Sequence, residues 1–111
     1  MADAAHEPSG AKRQFGDFSP GLVHFTDDVL FGEVWKRPEL SPRDRSLVTV
    51  AALLSGGNIE QLNFHLKYAQ QNGLTEQELI EAITHLAFYA GWPKAMSAMA
   101  LAQQIFAQSN T

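Results

Sequence analysis

Three helical segments separated by glycine-marked turns occupy the stretch from Ser41 to Pro93, and this pattern constrains the fold more than any other feature of the chain. Ser41 is a favourable N-cap residue, and Pro42 fits the first helical position, where a missing N–H leaves no bond unmade. Asp44 stands where the acid of a capping box belongs. The helix that begins here is predicted to end at Gly56-Gly57.

The next two helices have equally clear signals at their ends. Asn58 can cap the second helix, and Asn72-Gly73 ends it because glycine readily adopts the left-handed conformation that follows many helices. A third helix begins at Thr75, where Glu78 completes the sequence signature of a capping box, and Gly91 ends it. The stretch is therefore predicted to fold as three helices joined by short turns.

Apolar residues at helical spacing give each of these helices one predicted inward face. The faces are Leu47, Val48, Ala51 and Leu54 on the first helix, Ile59, Leu62, Leu66 and Ala69 on the second, and Leu79, Ile83, Leu86 and Ala90 on the third. Such stripes are typical of helices that pack around a shared core.

Two more helices flank the central stretch. One is predicted from about Pro20 to Val34, before the break at Arg37-Pro38, and the last from Pro93 to about Ala107. Apolar residues support them at Leu22, Phe25, Val29 and Leu30, and at Ala95, Met96, Met99, Ala100 and Phe106, with Gln103 in register. No stretch alternates as a strand does. The sequence predicts an all-α domain of about five helices over residues 17–111, preceded by a flexible arm, Met1–Gly16.

Composition excludes several classes of function. Eight Lys and Arg against twelve Asp and Glu give a formal net charge of −4, which argues against a nucleic-acid partner because such proteins need a basic face. No apolar run approaches the ~18 residues that cross a bilayer, and no signal peptide is recognised. The chain has no cysteine, hence no disulfide or thiolate metal ligand. We predict a cytoplasmic protein without a membrane partner.

Several motifs of the central stretch are specific. They are the helix RDRSLVTVAAL, the pair Glu60 and His65, the turn NGLT-x-x-E, and the ending AFYAGWPKA. With these motifs, the segment from about Phe31 to Ala95 resembles the carboxymuconolactone decarboxylase family. The resemblance implies a compact helical domain that assembles as a dimer, trimer or hexamer, with the active site near a subunit interface. A homotrimer or homohexamer is the expected assembly.

A related, alkylhydroperoxidase D-like branch of this family carries two cysteines and a histidine in a C-x-x-C-x-x-x-H arrangement. In this chain the corresponding places hold Asn58, Gln61 and His65. Neither Asn nor Gln can act as a redox nucleophile. Thiol peroxidase and disulfide reductase activities are therefore excluded, whereas the histidine remains.

The chemistry implied by the resemblance sets three tasks. The family's named substrate is a γ-lactone with a carboxylate on the ring and an acetate arm. Loss of CO₂ sends an electron pair through the ring double bond into the lactone carbonyl, so no cofactor is predicted. The protein must hold two carboxylates, stabilise an oxyanion and protonate a carbon. Cations or hydrogen-bond donors suit the first two tasks, and histidine suits the third.

Two histidines are candidates for that proton transfer. His65 lies beside the apolar stripe of its helix and holds the place the resemblance singles out. It could equally be a core-edge histidine bonded to a neighbouring helix. His85 follows Glu81 by four residues, a spacing that lets the two side chains touch. That pair could be a carboxylate-oriented catalytic imidazole or a surface ion pair.

Three charged residues complete the candidate site. Arg45 could bind a substrate carboxylate through both guanidinium nitrogens, or belong to a charged helix start with its neighbours. Glu33 lies among aromatic residues, where burial would raise its pKa and make it an acid–base partner; a solvent-facing position is the alternative. Glu60 is a candidate for substrate binding, although the helix dipole alone explains an acid in a first turn.

Two functions stay open at this point. One is a cofactor-free lyase acting on a small anionic lactone or related carboxylated ring; the other is a non-catalytic oligomeric binding or scaffold protein. A polar pocket containing His65 and an arginine would favour the lyase. No metal site is predicted. Core or interface packing is predicted for Trp35, Trp92, Phe88, Tyr89, Met96 and Met99, with residues around Gly91 to Met99 at the interface of a homo-oligomer.

Overall fold

The computed structural model describes residues 10–109, which are helical with no strand, and the chain divides into two units, Met1–Pro42 and Arg43–Thr111. The all-α prediction is confirmed. The first unit contains α1 (Ala11–Phe15) and α2 (Pro20–Val23), which continues as a π-helix (His24–Phe31), and then a 3₁₀ turn (Val34–Lys36). Four longer helices follow: α3 (Pro42–Gly56), α4 (Ile59–Gln71), α5 (Glu76–Ala90) and α6 (Trp92–Ser109).

The first unit differs from its prediction in two ways. Helix α1 lies inside the segment predicted to be an irregular arm, of which residues 1–9 fall outside the described part. The helix predicted from Pro20 to Val34 ends at Phe31, and its last eight residues have π geometry. The Thr26 hydroxyl donates to the Leu22 carbonyl at 2.7 Å, a back-bond that often bends helices. Such π segments occur frequently at functional sites.

The core of the second unit is formed by α3 to α6. The predicted face of α4 is confirmed, because Leu62, Leu66 and Ala69 are buried and Ile59 packs against them. On α5 the buried residues are Leu79, Ile83 and Ala87, while the predicted Leu86 and Ala90 are partly buried. On α6 the buried face is Ala95, Ala98, Ala102, Ile105 and Phe106, whereas Met96, Ala100 and Gln103 are exposed.

The predicted inward face of α3 is wrong at Val48, which is 60% exposed. The helix instead buries Ser46, Val50 and Leu54. A serine can be buried when its hydroxyl has a partner, and here the Asn72 side chain donates to Ser46 Oγ at 3.0 Å. The donor lies at the end of α4 and is not visible in the sequence of α3. The apolar pattern of α3 alone therefore predicted a neighbouring face as the buried one.

The helix ends follow their local signals. Thr75 and Glu78 form the predicted capping box: the Glu78 N–H donates to Thr75 Oγ1 at 3.0 Å, and the Thr75 N–H donates to Glu78 Oε1 at 2.9 Å. Asn58 is the N-cap residue of α4, but its side chain makes no capping hydrogen bond. Gly91 ends α5 with a φ of 108°, a conformation that side chains rarely tolerate.

Large apolar side chains remain exposed where α5 ends and α6 begins. The exposed fractions are 74% for Phe88, 78% for Tyr89, 55% for Trp92 and 63% for Met96. Core packing of these four is therefore wrong for a single chain, whereas Trp35 is buried as predicted. The interface part of the prediction stays a prediction. Among the described helices, none combines the length and hydropathy of a membrane span.

Two valines of α3 test this packing directly. Val50→Ala is expected to lower the free energy of unfolding by about 2 kcal/mol, since it removes two buried methyl groups and leaves a cavity. Val48→Ala, two residues away, should change it by less than about 0.5 kcal/mol. Thermal and urea unfolding measure both, with a drop in Tm on the order of 10 °C for Val50→Ala. Equal effects at the two positions would contradict the observed face.

Candidate functional site

His65 lies on α4 beside the buried stripe and within a group of aromatic side chains. Its ring meets the edge of Phe64 with centroids 4.8 Å apart and that of Tyr68 at 6.1 Å. Phe64 and Tyr68 stack on each other at 5.3 Å. The imidazole is partly buried, and its Nδ1 atom is inaccessible to solvent. This places a titratable ring in a surrounding of low polarity.

Burial lowers the pKa of His65 from 6.5 to about 4, because desolvation penalises the imidazolium. The ring is therefore neutral at pH 7 in the chain alone. The unfolded state binds more protons than the folded state between these two values. The contribution of His65 to stability is thus fully present above pH 6.5 and is lost as pH falls toward 4.

A cleft of about 500 Å³ opens between α3 and α5. This volume falls within the range of small-molecule sites. Its apolar lining comes from Leu47, Ala51, Leu74, Ala82 and Leu86, and its ionisable lining from Arg43, Glu78, Glu81 and His85. Of the site residues predicted from the sequence, His85 is the one that lines this cleft, and His65 does not line it.

Arg43, which lines the cleft, forms two ion pairs. Its guanidinium donates to Glu78 of α5 and, at 3.2 Å, to its neighbour Asp44. The hydrogen bond from the Thr75 backbone, and then the charge and hydrogen bond of Arg43, hold the pKa of Glu78 below its usual value. One carboxylate thus completes the capping box of α5 and links the beginnings of two helices.

The predicted contact between Glu81 and His85 is not formed. Among residues 10–109 no hydrogen bond or ion pair joins these two exposed side chains. The His85 ring lies instead against Tyr89, with centroids 4.9 Å apart. The observed neighbour of the imidazole is thus the ring one turn ahead, in a tilted arrangement, and not the acid one turn behind.

The other predicted residues are spread over the chain. Arg45 is partly buried on α3, where its carbonyl accepts a hydrogen bond from Thr49 Oγ1 at 2.7 Å. Glu60 is exposed in the first turn of α4. Glu33, in the first unit, is exposed before the 3₁₀ turn, so the premise of a buried acid is wrong. None of the three lines the α3–α5 cleft.

Sequence reasoning missed the site positions of three ionisable residues that the structure brings forward, and it named Glu81 only as a partner of His85. Arg43, Glu78 and Glu81 line the cleft, and Asp27 is buried in the π-helix with 6% exposure. The repeat of Glu78, Glu81 and His85 on one face of α5 was a readable signal. Asp27 offered none in the sequence.

A smaller cavity of about 170 Å³ lies near the exposed aromatic patch. Its lining is almost entirely apolar, with Ile83, Ala87, Phe88, Trp92, Met96 and Met99 among its residues. Within the described residues, no group of three or more His, Asp or Glu is placed to hold a metal ion. The ionisable chemistry of the second unit therefore centres on His65 and on the α3–α5 cleft.

Comparison with known families assigns the chain. The profile described as "Carboxymuconolactone decarboxylase family" matches residues 20–104, which include α2 to α5 and most of α6. The chain belongs to the carboxymuconolactone decarboxylase family. The sequence resemblance is thereby confirmed, and both His65 and the cleft lie inside the matched range.

Three curated proteins are similar to this chain, and their names differ. A 4-carboxymuconolactone decarboxylase of Acinetobacter baylyi is 42% identical over 90 residues, which are 81% of this chain and 67% of that protein. Nitrosuccinic acid decarboxylase npaB of Metarhizium robertsii is 38% identical, over 67% of this chain and 52% of that protein. An uncharacterized 15.0 kDa protein of Paracoccus denitrificans is 27% identical, over 84% of this chain and 82% of that protein. The matched part of the chain thus spans about two thirds of the length of the first relative and about half of the length of the second.

Proposed function

We propose that this protein is a decarboxylase that acts on a small acid carrying two carboxylates and its own electron sink. The observation that carries the proposal is that two relatives, 42% and 38% identical, are named as decarboxylases of different acids. A shared reaction type across two substrates points to chemistry that belongs to the common fold. The proposal therefore covers both the reaction type and the class of acid on which the protein acts.

The two named acids share a chemical logic. In a carboxylated γ-lactone the electron pair released with CO₂ moves into the lactone carbonyl. In nitrosuccinic acid the nitro group beside the departing carboxylate accepts the pair as a nitronate. Each molecule has a second carboxylate that can anchor it. The reaction breaks one C–C bond, releases CO₂ and adds one proton to carbon, so the substrate supplies the sink and the protein supplies binding and a proton.

His65 is the proposed proton donor. In the chain alone its pKa of about 4 leaves the ring neutral at pH 7, so it cannot donate as an imidazolium before substrate binds. A substrate carboxylate about 4 Å away would favour the charged ring by about 4 kcal/mol at an effective dielectric constant near 20. The pKa of the ring would therefore rise when the substrate is bound.

This shift gives His65 a defined cycle. Binding of the dianion raises the pKa of the ring, which then takes a proton from solvent. After CO₂ leaves, the imidazolium passes that proton to the carbanionic carbon and returns to its neutral form. Burial among Phe64 and Tyr68 supports this role, because an apolar surrounding strengthens the interaction between ring and substrate.

Arg45 is proposed to bind the second carboxylate. Its guanidinium can take a carboxylate through two parallel hydrogen bonds. Arg45→Lys is therefore the informative change for binding, since it keeps the charge and removes the planar fork.

The proposal predicts CO₂ release from at least one of two substrates. Purified protein is mixed with 4-carboxymuconolactone or with nitrosuccinate, and CO₂ is followed by a coupled assay against a protein-free blank. We expect enzyme-dependent turnover with values of kcat in the usual range of about 1–10³ s⁻¹. Binding of either acid by calorimetry without CO₂ release would favour the non-catalytic binding protein instead.

A further inference from the structure

The aromatic group around His65 includes one hydroxyl. Tyr68 follows His65 by three residues and Phe64 by four, spacings at which side chains on a helix meet. All three side chains are partly buried. Within this trio Tyr68 alone carries a phenol, and a phenol donates a hydrogen bond at neutral pH. The proposed proton donor therefore has a hydrogen-bond donor one turn ahead of it on the same helix.

The Tyr68 ring is stacked on the ring of Phe64. The centroids of these two rings are 5.3 Å apart, with 24° between the ring planes. The Tyr68 and His65 rings meet at 6.1 Å and 69°. A tyrosine has only two side-chain torsions, so a stacked tyrosine holds its hydroxyl in place at little entropic cost. The His65 and Tyr68 rings are close enough for one small acid to contact both.

The reaction proposed above leaves one task without a residue. His65 protonates carbon and Arg45 binds the second carboxylate, but the electron pair released with CO₂ first arrives on an oxygen of the sink. That oxygen is the carbonyl oxygen of a lactone or an oxygen of a nitro group. Negative charge that develops on an oxygen is stabilised best by a hydrogen-bond donor that is already in position.

We propose that Tyr68 is this donor and that its hydroxyl donates a hydrogen bond to the sink oxygen as CO₂ leaves. The inference rests on the proposed decarboxylase function. The C–C bond breaks, its electron pair moves to the sink oxygen, and the phenol keeps its proton while the hydrogen bond strengthens. The pair returns to carbon when the His65 imidazolium delivers its proton there. His65 and Tyr68 thus act on two different atoms of one intermediate.

Tyr68→Phe removes this hydroxyl and keeps the ring, so it isolates the hydrogen bond from the packing. We expect kcat for CO₂ release to fall at least about tenfold while KM changes by less than about twofold, because the sink oxygen gains its negative charge only after the substrate has bound. Tyr89→Phe is the matched control. Tyr89 is an exposed tyrosine of α5 that lies against His85, and the loss of its hydroxyl should leave both constants within about twofold.

A binding measurement separates a catalytic phenol from a structural one. Loss of CO₂ from nitrosuccinate gives 3-nitropropionate, whose nitronate form is the anionic intermediate and whose nitro form is the product. Each form, the nitronate freshly neutralised, is titrated by calorimetry into His65→Gln, which lacks the proposed proton donor, and into the same variant with Tyr68→Phe added. The second substitution should weaken nitronate binding at least about tenfold and binding of the nitro form by less than about twofold.

The outcomes distinguish the role of Tyr68 from the proposed function. Equal losses for the two forms, or an unchanged kcat in Tyr68→Phe, would overturn the role of Tyr68 and leave the proposed function standing, because the native protein still releases CO₂. Native protein that turns over neither acid would overturn both.

Discussion

His65→Gln is expected to lower kcat for CO₂ release by at least about 100-fold while the protein remains folded. Glutamine approximates the size of imidazole and can still donate a hydrogen bond, but it cannot deliver a proton near neutral pH. General acid catalysis contributes on the order of 10²–10⁴ in rate, and that is the part that should be lost. Steady-state kinetics with the accepted acid, together with thermal melts, measure the two effects separately.

His24→Gln is the matched control for this substitution. His24 is exposed, and its Nδ1 pairs with Asp28 Oδ2 at 2.9 Å within the first unit. Removing that imidazole should leave kcat within about twofold, since an exposed pair contributes little. Full activity of His65→Gln would remove His65 from the mechanism. Loss of the fold in that variant alone would identify His65 as a structural histidine.

The pKa of His65, about 4 in the free protein, is expected to rise when a dicarboxylate inhibitor is bound. Titration of the imidazole carbon-bound protons by NMR reports both values, and the missing signal of His65→Gln assigns them. The sign is fixed by the physics: burial disfavours the imidazolium, and a bound anion favours it.

The exposed His24 provides the comparison within the same spectrum. Its signal is the reference against which the change at His65 is read, since its ring is exposed and pairs with Asp28. A His65 pKa that stays near 4 in the bound protein would show that the anion lies elsewhere. The proton would then have to come from another group, and the decarboxylase proposal could stand without His65.

Helix ends were readable from the sequence because their causes are local. The capping box of Thr75 and Glu78 needs only residues three positions apart, and both of its hydrogen bonds form. Gly91 stops α5 because its backbone conformation is one that few side chains tolerate. The π geometry after α2 was missed, since it depends on a change of hydrogen-bond register rather than on residue type.

Helix faces were readable only where the apolar stripe was unambiguous. On α4 the buried side chains are the predicted ones. On α3 a run of apolar residues covers more than one face, and the hydrogen bond from Asn72 to Ser46 selects the face that is buried. A partner from another helix cannot be seen in the pattern of one helix, so Val48 was misplaced.

The candidate site divides in the same way. The family, and with it the place of His65, followed from sequence motifs, because residue type and spacing are properties of the chain itself. Tertiary structure alone decided how deeply His65 is buried and hence the direction of its pKa shift. It also brought Arg43 to Glu78, 35 residues apart, and left Glu81 and His85 without a mutual contact. Sequence determines which groups a chain carries, whereas solvation and pairing depend on neighbours that only packing supplies.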